Sequence, residues 1–101
     1  MRGNRALDYV VISGEIETEQ DGLAYGAMVF AVRPGVSTEP HRHASEETWM
    51  VQSGEGHCTI DGRRIGLIPG ARVVAPPDTE HTITNTGPSD LVVLGMWWKR
   101  L

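Results

Sequence analysis

Four side chains in this chain of 101 residues have the types and spacing to hold a metal ion: His41, His43, Glu47 and His81. His41 and His43 stand two apart in Pro40-His41-Arg42-His43. On an extended strand, residues i and i+2 point to one face, so both imidazoles are expected to address one space. A turn at Ala44-Ser45-Glu46 lets the next strand start at Glu47 and returns its carboxylate to that space. His81 must come from a distant strand folded beside the first two. Three imidazoles and one carboxylate suit Fe(II), Mn(II), Ni(II), Cu(II) or Zn(II) better than an ion that prefers oxygen alone. One divalent transition metal is the expected cofactor. Glu47 is expected either to ligate it or to stand back from it as a catalytic base. His57 shares none of this spacing and reads as non-ligating.

The elements that must position these groups are strands. Short apolar or alternating runs recur, each bounded by turn residues. They cover 9–13, 24–33, 47–52, 56–60, 64–68, 71–75, 81–85 and 91–99. Asp61-Gly62 between two of them is a hairpin signal. Pro34-Gly35 and Pro69-Gly70 mark further turns. No segment has helical periodicity with caps. About eight short strands at regular spacing predict an all-β sandwich or barrel. The length fits a single domain.

Composition narrows the function classes. The net charge is −4 and the charges are scattered. There is no basic stripe of the kind that collects phosphates, so no nucleic-acid partner is expected. No apolar run approaches membrane-spanning length, and the expected location is the cytoplasm. Cys58 is the one cysteine, so the fold does not depend on a disulfide. It reads as a small buried strand residue.

The spacing carries a resemblance. Gly35, His41, His43, Glu47 and Gly54 match every fixed position of the first cupin motif, over 35–54. Gly70, Pro76, His81 and Asn85 match the second, over 70–85. One position departs: Asp78 stands where the family usually has glycine. Aspartate tolerates a left-handed turn better than most residues, so the turn is expected to survive. The resemblance implies a double-stranded β-helix, a jelly-roll-like barrel, with the metal near one mouth. It does not imply one reaction, since cupins include oxygenases, isomerases, epimerases, lyases and ligand-binding proteins.

The remaining expectations concern the pocket. Trp49 and Val51 alternate in phase with Glu47 and should face the interior. Met28 and Tyr25 lie on the preceding strand, Met28 as a lining residue and Tyr25 as a candidate catalytic acid or substrate donor. Trp97 and Trp98 are adjacent and must face opposite ways; Trp98 is expected in the pocket and Trp97 outside. The expected function is a metal-dependent enzyme acting on a small carboxylate or amino-acid-derived substrate. Its reaction is isomerisation, epimerisation or rearrangement, or an oxygen-dependent step, and natural-product tailoring is one setting. The alternative is a ligand-binding or accessory module. Residues 1–20 read as a polar arm that covers a sheet edge, and a homodimer is expected.

Overall fold

The computed structural model describes residues 9–12 and 16–101. Nine strands and no helix are found among them. They are β1 (Val10–Val11), β2 (Ile16–Gln20), β3 (Leu23–Val32), β4 (Glu46–Ser53), β5 (Gly56–Ile60), β6 (Arg63–Leu67), β7 (Arg72–Ala75), β8 (His81–Asn85) and β9 (Leu91–Arg100). The eight runs read from the sequence correspond to eight of these within one or two residues, save that Ser13 lies outside the described residues. β2 is additional.

Two Asp-Gly pairs make the tightest hairpins. Asp21 and Gly22 have φ of 55° and 80°, and Asp61 and Gly62 have 50° and 82°. A two-residue turn with both φ values positive twists in the same sense as the strands it joins. The first pair closes β2 onto β3 and the second closes β5 onto β6.

All the pairings are antiparallel. A six-stranded sheet runs β1-β3-β9-β4-β7, with β2 also on β3. A three-stranded sheet runs β6-β5-β8. The two described pieces of the N-terminal arm, β1 and β2, therefore pair with β3 of their own chain. The sheets face each other as a barrel, and alternate residues fill the space between. On β4, Glu47, Trp49 and Val51 are buried while their neighbours are less so. Val32, Leu91 and Val93 are fully buried. Each such side chain contributes roughly 1.5–3 kcal/mol relative to exposure.

Residues 35–41 link the two sheets by running along β8. The Thr38 N–H donates to the Ile83 carbonyl at 2.8 Å, and the Asn85 N–H donates to the Val36 carbonyl at 3.0 Å. Farther along, His41 and His81 exchange both backbone hydrogen bonds, at 3.2 and 3.0 Å. Asn85 ties this layer together. Its side-chain amide donates to the Val32 and Ser89 carbonyls, and its oxygen accepts the Gly87 N–H, each at 2.8 Å. It is 1% exposed, yet three of its hydrogen-bonding positions are filled.

Candidate metal centre

His41 and His81 are directly paired across two antiparallel segments. His43 follows on the same extended run as His41, as the i, i+2 rule requires. The chain then bends at Ala44 and Ser45 and enters β4, where the inward phase delivers Glu47. Asp78 sets the other approach. It adopts φ 59°, so the left-handed turn survives the change from glycine. Its N–H donates to the His43 carbonyl at 2.8 Å, and its carbonyl accepts from Arg42 Nη1 at 3.2 Å. Arg42 is thereby held away from the histidines on either side of it.

One ligand atom from each of His41, His43, Glu47 and His81 lies within 4.8 Å of the others. His43 Nε2 and His81 Nε2 are 3.2 and 3.4 Å from Glu47 Oε1. His41 Nε2 and His81 Nε2 are 3.1 Å apart. Each imidazole is fixed from behind in the same way. The Nδ1 atoms of His41, His43 and His81 lie 3.0 Å from the backbone carbonyls of Glu39, Ser45 and Thr79. A carbonyl only accepts, so each Nδ1 donates to it, and Nε2 is the atom left facing the cluster. This is the arrangement that orients metal-ligating histidines. The Trp49 ring packs edge-on to His81, with centroids 5.1 Å apart.

The electrostatics fit a cation. Glu47 is 9% exposed. Burial alone raises its pKa, but the hydrogen bond with His81, contact with Trp49 and the nearness of His43 outweigh it. The carboxylate is held below its ordinary range and is charged. The buried Trp49 N–H meets no hydrogen-bond partner, so its contribution to Glu47 is electrostatic over a longer range. Three inward lone pairs and one buried carboxylate form a donor set that fits a divalent transition metal.

The donors open onto two cavities. The inner one, of about 80 Å³, is bounded by His41, Glu47 and His81 and walled mainly by Tyr9, Phe30, Trp49 and Ile83. The outer one, of about 300 Å³, is lined by Met28, His41, His43, Ser45, Glu47 and Trp97. Met28 borders both cavities and Trp49 the inner one. Val51 is on the inward face but is buried in the core and borders neither cavity.

Two expectations are corrected. Trp97, not Trp98, faces the donors. Glu47 pairs across strands with Trp97, and Glu46 with Trp98, so Trp97 shares the inward face of Glu47. Trp98 lies outside, 40% exposed, and its indole N–H donates to Glu46 at 3.1 Å. Tyr25 pairs with Trp98 and shares that outer face. Its phenol reaches Gln20 at 3.4 Å and is remote from the donors. The tyrosine that borders the inner cavity is Tyr9, packed edge-on against Phe30.

Sequence reasoning also passed over Phe30 and Ile83. Both were within its reach, since Phe30 is two residues beyond Met28 and Ile83 two beyond His81. His57 stands on β5 outside the cluster, as read. Partial desolvation and the charge of Arg64 lower its pKa. Cys58 is fully buried, which pushes its thiol up to about 11.

Known proteins resemble this chain. The chain is 28% identical to auxin-binding protein 1 of Arabidopsis thaliana over 91% of its length, and covers 50% of that protein. It is 38% identical to the dimethylsulfoniopropionate lyase DddW of Ruegeria pomeroyi over 57% of its length, and covers 38% of it. It thus spans half or less of these two relatives. Among solved structures it resembles a cupin 2 conserved barrel domain protein from Salinispora arenicola. That match has a TM-score of 0.68 and 26% identity, covering 97% of this chain and 83% of the other. The family model for the cupin domain matches residues 28–97, which include all four donors and most of the barrel, and the chain belongs to that family.

Proposed function

We propose that this domain is a metal-dependent enzyme acting on a small molecule. His41, His43, Glu47 and His81 hold one divalent transition metal, with Fe, Zn, Mn, Ni and Cu as the candidates. The observation that carries the reading is that the donor set opens onto two adjoining cavities. A metal that only braced a fold would sit in a closed site. When bound, the metal supplies a Lewis acid that polarises a substrate oxygen.

The chain's own residues supply the rest. Met28, Phe30, Trp49 and Ile83 exclude water from one side of the donors and take the apolar part of a substrate. Glu47 is the one carboxylate among the described residues that line the two cavities. It joins the donors through Oε1 and is the base candidate if a proton must move. The proposed reaction is isomerisation, epimerisation or rearrangement of a small carboxylate or amino-acid-derived molecule, or its oxygen-dependent conversion, in a cytoplasmic biosynthetic setting.

Metal content after purification, by elemental analysis, tests the first half. Stoichiometric metal that is lost in His41→Ala supports it, and a metal-free protein after reconstitution sinks it. Turnover of candidate acids, with and without oxygen uptake, tests the second half. A binding module is the second reading, favoured by one observation: the relative matched over 91% of the chain is named as a binding protein. Saturable ligand binding without turnover would select it.

We also propose that the protein acts as a homodimer through the outer face of the large sheet. Ile16, Val74, Met96 and Trp98 are each at least 39% exposed there. Ile16 pairs beside Ala27, Ala27 beside Met96, Met96 beside Thr48 and Thr48 beside Val74, so Ile16, Met96 and Val74 follow one row, with Trp98 in the next row of that face. Sedimentation should give twice the chain mass, and Met96→Lys should return the monomer.

A further inference from the structure

Gly26, Trp97 and Glu47 form one cross-strand row on β3, β9 and β4. Glu47 points at the other donors, and Gly26 brings no side chain. A Cβ on Gly26 would lie 2.5 Å from Trp97 Cζ2 and 2.7 Å from Cε2. The indole therefore rests on the backbone of Gly26. It leans across β3, to the side away from β4 and Glu47. That lean leaves the outer cavity of about 300 Å³ open in front of Glu47, His41 and His43. Its size is at the lower end of what small-molecule pockets have.

The lining chemistry limits what can enter. Met28, Ser45 and Trp97 accompany the donors, and among the described residues neither lysine nor arginine borders either cavity. An anionic group on a ligand therefore has only the metal to meet. A second charge would be desolvated without a partner, which is costly. A flat unsaturated group gains most from the indole, and the thioether of Met28 adds a favourable sulfur–π contact.

We infer that Trp97, seated on Gly26, is the residue that selects the ligand, and that the ligand is a small acid with one anionic group and a flat unsaturated end. The inference rests on the metal reading above. Gly26 acts through Trp97 as a positioning residue.

The test uses the full chain loaded with Co(II), whose visible absorption bands report the metal's surroundings. Formate, cyclohexanecarboxylate and benzoate are the probes. Formate reads access to the metal alone. The other two are matched in size but differ in flatness. Benzoate should bind about two- to tenfold tighter than cyclohexanecarboxylate, as stacking energies suggest. Trp97→Leu should abolish that ratio and leave formate binding unchanged. Gly26→Ala should push the indole over Glu47 and weaken all three acids, and adding Trp97→Leu should restore formate. The Gly26 variant also crowds the Ile16 carbonyl, so Trp97→Leu decides the matter if it fails to fold. A benzoate preference that is absent, or that survives in Trp97→Leu, overturns the inference while Co(II) binding leaves the metal reading standing. Failure to bind Co(II) removes both.

Discussion

The imidazoles of His41 and His81 meet Nε2 to Nε2 at 3.1 Å. Each has committed its proton to a carbonyl behind it, of Glu39 and Thr79. A cation set among them would take a lone pair from each, and the Glu47 carboxylate stands within 3.4 Å of His81. The fold itself sets these donors close together. That relationship leads to the first prediction.

A transition metal should stabilise the folded chain markedly. At a hundredfold excess over Kd the gain is about 2.7 kcal/mol, which in a domain of this size raises Tm by on the order of 10 °C. His41→Ala should lose most of that rise. Thermal unfolding of both proteins with and without Zn(II) checks it, and equal shifts in the two would count against the site.

Asn85 belongs to the motif, yet its work is structural. Its three hydrogen bonds hold the Val32, Gly87 and Ser89 backbone together. Asn85→Ala leaves two carbonyls and one N–H without their partner, and should cost roughly 2–4 kcal/mol given the penalty for unsatisfied buried groups. Metal stoichiometry in the folded fraction should not change. Urea unfolding, paired with metal titration, separates the two effects.

Asp78 can be tested against the family's glycine. At φ 59°, Asp78→Ala should destabilise by about 1 kcal/mol through left-handed strain. Asp78→Gly should be neutral to within about 1 kcal/mol, because relief of strain is offset by a freer unfolded chain. Denaturation midpoints order the three proteins; a glycine variant far less stable than the alanine variant would refute the account.

Cys58 should be silent in the native state. Burial raises its thiol from 9.0 to about 11, so little thiolate forms at pH 8. A thiol reagent should react slowly with the folded protein and fully in denaturant. The sign for stability follows from the raised value. The folded state favours the protonated thiol, so this contribution is complete below pH 9 and is lost as pH rises through about 11. A stability curve across that window reads it.

The four donors were legible because their spacing is local and their types are rare. The strands were legible where apolar residues alternate, as in β4 and β8. β2 was not, since Glu17, Thr18, Glu19 and Gln20 have no apolar alternation; the Asp21-Gly22 pair behind them was the available signal. The two tryptophans show a different limit. Adjacency says that one faces in, but only the pairing of Glu47 with Trp97 says which. Tyr25 failed for the same reason, because its outward phase is set by its register against Trp98. Cross-strand register is a property of the assembled sheet, and a single strand's sequence specifies it weakly.

Three of the four donors lie within seven residues, from His41 to Glu47, and the fourth lies 34 residues beyond. An unfolded chain therefore keeps a partial chelate intact. For the proposed metal, some of the affinity would already be present before any sheet has formed, which would trim the stabilisation that folding gains from it. On the proposed reading, an ion would find these three donors as soon as Glu47 has emerged during synthesis. The closing of the barrel would then add His81, converting a loose hold on the ion into a tight one.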